Sequence, residues 1–159
     1  MTIHDRLAEL GILLPLAPAP AGPYVPAAQT GRLLFVSGQL PVFEGKVAFV
    51  GKVGREIKLE QAREAARLCA VNALAVVQEH LGSLDDVRQI VRVDVFVNAA
   101  DGFIDLVGVA NGASDLLHKV FGDPGRHARV TVGVAELPRN AAVELALIVE
   151  TKRPPPRTV

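Results

Sequence analysis

The chain has 159 residues, half of them hydrophobic, and its 17 basic and 17 acidic side chains leave no formal net charge at pH 7. This length and composition describe one globular domain, and the balanced charge disfavours general nucleic-acid binding, which relies on an excess of lysine and arginine. The single cysteine, Cys69, excludes an internal disulfide and a zinc site of paired thiolates, and it suits a reducing cytoplasm.

The first 21 residues predict a short amphipathic helix that ends near Gly11, followed by a proline-rich arm. The apolar run at residues 12–16 superficially resembles part of a secretory leader, but Asp5, Glu9 and the prolines favour a helix and arm. No apolar run reaches the roughly 20 residues that cross a bilayer. We therefore expect a cytoplasmic protein without a membrane span.

The middle of the chain carries the clearest periodic patterns. A buried strand is predicted over residues 32–36, with a weaker strand over 24–28 and a further candidate over 46–50. Residues 59–81 predict a long helix, because apolar residues recur along one stripe and Gly82 provides a stop. After a polar turn, the alternation at residues 91–97 predicts another strand.

The remaining elements suggest how the sheet is covered. A second helix is predicted over residues 103–120, although Gly108 and Gly112 weaken it, and final strands are predicted over 129–135 and 143–150. We expect an α+β fold in which two long helices cover one face of a mixed sheet of about six strands. Several strands are apolar on both faces, so we expect the second face to be buried in a homo-oligomer.

Two charged residues, Arg129 and Glu144, interrupt the last two strand patterns. A guanidinium can hold a carboxylate with two hydrogen bonds, and a glutamate close to that anion can act as a general base or orient a water. The pair therefore suits a small carboxylate-bearing substrate. The residues alone leave open a structural alternative, in which Arg129 and Glu144 pair with each other or cap the sheet.

Other polar residues give weaker indications. Tyr24 is the single tyrosine and either lines a ligand site or anchors a loop, and Ser37 has no nearby His or Asp pattern, so hydrogen bonding suits it better than nucleophilic attack. His127 is either a site residue or a solvated loop histidine. The four histidines are widely separated, so no metal site is predicted, and Cys69 is expected in the core.

Five segments identify a protein family together, although none of them is sufficient alone. They are Gly22-Pro23-Tyr24, Val36-Ser37-Gly38-Gln39-Leu40-Pro41, residues 81–87, Ala128-Arg129 through Leu137-Pro138, and Val143-Glu144. Together they resemble the RidA/YjgF/YER057c/UK114 superfamily, which is also labelled endoribonuclease L-PSP. The resemblance implies a chorismate-mutase-like fold, a trimer, and small-molecule sites in clefts between subunits. It divides the chain into an N-terminal helix and arm (1–21), a RidA-like domain (22–151) and a proline-rich tail (152–159).

The resemblance also implies an activity, the hydrolysis of reactive enamines and imines derived from amino acids to 2-oxo acids and ammonia, with no cofactor and no metal. Arg129 matches the arginine that grips the substrate carboxylate, and Glu144 matches the glutamate associated with the attacking water. Tyr24 and Ser37 match residues that line the pocket. Thr131 stands where many members have cysteine, a position that would contribute through its backbone carbonyl.

Departures from the compact members place the chain in a longer branch of the superfamily. Extra residues at 44–58 and before Phe121 leave the family's pocket asparagine without an assigned counterpart, with Asn111 as the residue in question. The main alternative function is non-catalytic binding or sensing of a small carboxylate. Endoribonuclease activity is less favoured, because the charge is balanced and aromatic residues make up 4% of the chain.

Overall fold

The computed structural model describes residues 1–156, so the last three residues of the predicted tail (152–159) lie outside the described part. In that part, three α-helices and seven β-strands form an α+β fold. The elements are α1 (Ile3–Glu9), β1 (Ala27–Thr30), β2 (Leu33–Gln39), β3 (Val42–Phe43), β4 (Lys46–Val47), α2 (Leu59–Leu81), β5 (Val87–Asn98), α3 (Leu106–Phe121), β6 (Ala128–Val134) and β7 (Val143–Thr151).

The main sheet is mixed, as predicted, and has the strand order β1-β2-β7-β5-β6. β5 and β6 run parallel, and the other neighbouring pairs are antiparallel. The sheet has five strands rather than about six, because β4 pairs with β3 in a separate small sheet. Glu44 and Gly45 both have positive φ angles and form the tight turn between β3 and β4.

The strand predicted over residues 24–28 begins later, at Ala27. Pro23 and Pro26 have no backbone N–H to donate to a sheet, so the segment before Ala27 remains a loop. Ser37 fixes this loop to β2, because its N–H donates to the carbonyl of Pro26 over 2.9 Å. Tyr24 therefore lies in a loop beside the sheet and not within a strand.

Helix α2 has the predicted bounds, and Gly82 ends it in a left-handed conformation (φ 82°). Cys69 is fully buried in the interface between α2 and the sheet, as expected, and burial raises the pKa of its thiol. α2 and α3 cover one face of the sheet, where the apolar side chains of β2, β5 and β7 are buried. No helix within residues 1–156 combines the length and hydrophobicity needed to cross a membrane.

The N-terminal segment packs against this core. Thr2 and Asp5 form a reciprocal capping pair at the start of α1, and the backbone N–H of Ile3 donates to Asp85 Oδ1 over 2.8 Å. Leu7 and Ile12 are buried in the same apolar cluster as the sheet residues. Residues 1–12 thus contribute to the packed domain, and the extended part of the arm begins after them.

Helix α3 begins at Leu106, three residues later than predicted, because Asp105 caps it by accepting a hydrogen bond from the N–H of Gly108 over 3.0 Å. Gly112 does not interrupt this helix. It lies where α3 crosses α2, and a β-carbon at this position would collide with the backbone carbonyl of Arg63. The lack of a side chain at Gly112 therefore permits the close approach of the two helices.

The other face of the sheet has no helix over it. Exposed apolar side chains lie on this open face, namely Leu33 (39% exposed), Phe35 (43%), Val130 (43%) and Val132 (39%). They come from β2 and β6, on either side of β7 and β5. Apolar groups gathered on one sheet face are typical of a surface that becomes buried by association.

We expect Gly112→Ala to lower the free energy of unfolding by about 1–3 kcal/mol, because the added methyl group must separate α2 from α3. Urea denaturation followed by circular dichroism measures this change. Val107→Ala, at an exposed position of the same helix, is the control and should stay within about 0.5 kcal/mol of wild type. An unchanged midpoint for Gly112→Ala would contradict the close crossing.

Candidate functional site

The sheet register separates the two residues that were expected to share a site. Arg129 lies opposite Val93 of β5 and faces the helices, whereas Glu144 lies opposite Phe96 and faces the open side. Side chains of a strand alternate between faces, so Arg129 and Glu144 project from opposite sides of one sheet. Neither residue forms an ion pair within residues 1–156. The structural alternative, in which the two pair within one chain, is therefore wrong.

Arg129 is half-buried between the edge strand β6 and helix α3. Its Nη1 atom donates one hydrogen bond to Asn111 Oδ1 and another to Ser114 Oγ, each 2.9 Å long. Asn111 and Ser114 are three residues apart and so share one face of α3. The Nε and Nη2 atoms of Arg129 make no hydrogen bond within residues 1–156. This free edge of the guanidinium is suited to holding a carboxylate through two parallel hydrogen bonds.

A chain of hydrogen bonds continues from Arg129 to the backbone. His127 Nδ1 lies 2.7 Å from the carbonyl oxygen of Gly125, so this nitrogen carries a proton and donates it. His127 Nε2 is then an acceptor, and it lies 2.8 Å from Ser114 Oγ. The Ser114 hydroxyl donates to His127 and accepts from Arg129. His127 therefore lies in the loop before β6, as one alternative expected, but it is half-buried and part of a hydrogen-bonded network and is not freely solvated.

The network requires His127 to be neutral. Burial lowers the pKa of His127 below its usual value, the hydrogen bond to Gly125 opposes this shift, and the positive charge of Arg129 adds to it. A protonated ring would present an N–H to Ser114 in place of an acceptor and would bring a second positive charge close to Arg129. Acidification through the pKa of His127 thus disturbs the support of Arg129.

We expect the wild-type protein to lose stability as the pH falls from about 6.5 through the lowered pKa of His127. In this pH range His127 binds a proton more readily in the unfolded chain than in the folded one. His127→Gln keeps an acceptor for Ser114 but does not titrate, so its stability should fall less between pH 7 and pH 5. Urea denaturation at several pH values measures the difference. The exposed His4→Gln variant is the control, and equal slopes for all three proteins would contradict the network.

Glu144 lines a cavity of about 300 Å³ on the open side of the sheet. The loop before β1, the end of β2 and the turn before β7 enclose it, through residues that include Tyr24, Gly38, Gln39, Pro138, Arg139 and Glu144. Gly38 leaves space for the carboxylate, since a β-carbon there would collide with Glu144 Oε1. Partial burial raises the pKa of Glu144, which makes its carboxylate a stronger base than an exposed one.

Of the other predicted site residues, Tyr24 lines the Glu144 cavity, whereas Ser37 and Thr131 lie outside it. Tyr24 lines the Glu144 cavity with its ring half exposed, and its hydroxyl accepts a hydrogen bond from the N–H of Ala21 over 3.2 Å. Ser37 does not line this cavity; its hydroxyl donates to the carbonyl of Val25 over 2.7 Å and so holds the loop before β1. Thr131 shares the face of Arg129, and its buried hydroxyl has no partner within residues 1–156.

The structure adds two residues that sequence reasoning did not assign, Asn111 and Ser114. Their three-residue spacing on a helix predicts a shared face, but the sequence does not say which strand that face meets. The structure thus gathers two half-sites in one chain. Arg129, Asn111 and Thr131 lie on the helix side of the sheet, and Glu144 and Tyr24 lie on the open side.

Comparisons with known proteins agree with this architecture. A family model described as YjgF/chorismate-mutase-like, putative endoribonuclease, matches residues 4–151. The protein TCP17 from Trypanosoma cruzi is 46% identical over 149 residues, which cover 93% of each chain. A 2-iminobutanoate/2-iminopropanoate deaminase from Dermatophagoides farinae is 35% identical over 138 residues, covering 87% of this chain and 93% of the relative.

The backbone fold is also similar to that of a solved structure. The protein Atu1372 from Agrobacterium tumefaciens superimposes with a TM-score of 0.88 and 48% sequence identity. The match covers 94% of this chain and 92% of that one.

Proposed function

Because this chain belongs to the YjgF/chorismate-mutase-like family, we propose that it hydrolyses imines, and their enamine tautomers, that derive from amino acids. The products are 2-oxo acids and ammonia. The observation that carries this proposal is the free edge of Arg129, held in place by Asn111 and Ser114, which fits a substrate carboxylate. The deaminase relative from Dermatophagoides farinae supports the reaction type.

A site that uses both Arg129 and Glu144 requires two copies of the chain, since one sheet separates them. Arg129 lies on the edge strand β6, from which its guanidinium can reach a neighbouring chain. That neighbour would contribute the cavity of Glu144 and Tyr24 from its open face. The exposed apolar side chains on this face favour such an association. Following the family resemblance, we propose that the closed oligomer is a homotrimer and that it lies in the cytoplasm.

The chemistry at this composite site is the addition of water to a carbon–nitrogen double bond. Arg129 holds the substrate carboxylate, and Glu144 accepts a proton from the water as the water oxygen bonds to the imine carbon. The imine nitrogen takes up a proton from solvent in this step, which gives a carbinolamine. Glu144 then returns its proton to that nitrogen, the carbon–nitrogen bond breaks to release ammonia, and the hydroxyl group loses its proton to solvent as the carbon–oxygen double bond of the 2-oxo acid forms. The imine is already electrophilic, so placement of substrate and water supplies much of the acceleration. Thr131 contributes its backbone carbonyl, and Ser37 acts by holding the loop before β1, which carries Tyr24.

Arg129→Ala should weaken the free energy of substrate binding by about 2–5 kcal/mol if the closed site excludes water, because the carboxylate loses its charge-assisted hydrogen bonds. Arg129→Lys restores the charge but not the planar fork, and we expect intermediate activity. The assay generates 2-aminoacrylate or 2-iminobutanoate enzymatically and follows the decay of the intermediate. Equal activity of Arg129→Ala and wild type would refute the role of Arg129.

Glu144→Gln should keep affinity for 2-oxobutanoate or benzoate and lose hydrolysis, because only the proton transfer needs the carboxylate. Calorimetric titration and the decay assay measure the two properties separately. If wild type binds these carboxylates but accelerates no imine decay, the alternative of a carboxylate-binding or sensing protein replaces the enzyme. RNA cleavage that Arg129→Ala abolishes in rigorously purified protein would instead favour the endoribonuclease alternative.

The composite site predicts an oligomer, and the family resemblance implies three chains; light scattering on the purified protein tests both. Phe35→Asp places a charge on the open apolar face and should shift the population toward monomers, together with a loss of activity. Lys46→Asp, at an exposed position of the small sheet, serves as a surface control and should leave the oligomer intact. A wild-type protein that remains monomeric at micromolar concentration would exclude the shared site.

A further inference from the structure

The cavity of Glu144 contains a second charged residue that the proposed reaction does not use. Among its thirteen lining residues, Arg139 and Glu144 are the two that carry charge. They do not pair with each other, and burial alone accounts for the raised pKa of Glu144. Within residues 1–156, Arg139 forms no ion pair with any carboxylate. Arg139 is thus an exposed residue at the rim of this cavity whose charge no carboxylate of the described chain neutralises.

The turn that carries Arg139 is held in an unfavourable backbone conformation. Arg139 and Asn140 both have positive φ angles, 56° and 55°, which cost free energy in residues that have a β-carbon. Buried Asn98 holds the turn, because its Nδ2 donates to Asn140 Oδ1 and to the carbonyl of Ala141, each over 3.1 Å. The N–H of Gly51 also donates to the carbonyl of Asn140 over 2.8 Å. Contacts from two other segments thus fix Arg139 at the cavity rim.

We propose that Arg139 binds a second anionic group at the far end of the substrate side chain. The preferred substrates are then imines or enamines of dicarboxylic amino acids, which water converts to 2-oxo dicarboxylic acids and ammonia. This assignment rests on the proposed function: Arg129 of a neighbouring copy takes the carboxylate next to the reacting carbon, and Glu144 faces that carbon. Arg139 lies on the same side of the site as Glu144. Because Arg129 already binds the first carboxylate, Arg139 is the arginine that can bind the distal one. A cavity of about 300 Å³ has room for a short dicarboxylic acid.

The test compares two substrates on the full-length protein. Amino-acid oxidases generate 2-iminosuccinate, which has the second carboxylate, and 2-iminobutanoate, which lacks it. Wild type should show the higher kcat/KM for 2-iminosuccinate. Arg139→Gln keeps a β-carbon in the strained turn but removes the charge, and it should lower kcat/KM for 2-iminosuccinate about tenfold, chiefly through KM. Activity on 2-iminobutanoate should not change.

Arg6→Gln is the matched control, because it removes one positive charge from an exposed position of helix α1 outside the cavity. This variant should leave both substrates unaffected. An Arg139→Gln variant that loses activity equally on both substrates, or on neither, would overturn the assignment of Arg139. Hydrolysis of 2-iminobutanoate by wild type in that case leaves the proposed function intact.

A second measurement separates the failure of the two proposals. If wild type hydrolyses neither imine, the proposed function fails, and calorimetric titration with succinate and butyrate then tests Arg139 without turnover. Tighter binding of succinate than of butyrate, lost in Arg139→Gln and kept in Arg6→Gln, supports a dicarboxylate site. Equal affinity for the two acids, or equal values in Arg139→Gln and wild type, overturns it.

Discussion

The alternation of side chains across a β-sheet is the constraint on which the rest of this protein depends. Strand β5 lies between β6 and β7, and its register sends Arg129 to the helix-covered face and Glu144 to the open face. One copy of the chain therefore presents a cation for a carboxylate at its edge and a carboxylate for proton transfer on its broad surface. Neither half is a complete site for the proposed reaction, so that reaction would require association of two copies.

The half-site of Arg129 shows how a flexible side chain gains a fixed orientation. Two acceptors on α3 hold one nitrogen of the guanidinium, and the hydrogen bonds run on through Ser114 and His127 to a backbone carbonyl. The other edge of the plane stays free. These hydrogen bonds order the Arg129 side chain before a ligand binds. Ligand binding therefore costs less conformational entropy than it would with an unsupported arginine.

The sequence predicts the regular parts of the fold well, because periodicity is a local property. The bounds of α2 follow from its apolar stripe and from Gly82, whereas the starts of β1 and α3 depend on the chemistry of single residues, the prolines before Ala27 and the cap at Asp105. The composition also does not show that β4 would leave the main sheet, since a hairpin of two short strands has no strong pattern.

The site was predictable only in part. Arg129 and Glu144 could be selected as candidates because charges interrupt apolar strands and because the surrounding segments resemble a known family. Their placement on opposite faces depends on register, which is a property of three strands together. Asn111 and Ser114 remained unassigned because the sequence does not show which strand their face of α3 packs against. Long-range packing thus determines what the local patterns leave open.

The tight helix crossing has a consequence for how this protein can change over time. Gly112, where α2 and α3 touch, is the immediate neighbour of Asn111, which supports Arg129. A substitution that spreads the helices also moves the support of the guanidinium, so tolerance to mutation and ligand recognition are coupled at this point. Laboratory evolution that repacks the crossing for thermal resistance would also move Asn111, the residue that holds Arg129 in the proposed site. A lineage can vary the exposed side of α3 freely, but it must keep this crossing narrow to retain the site.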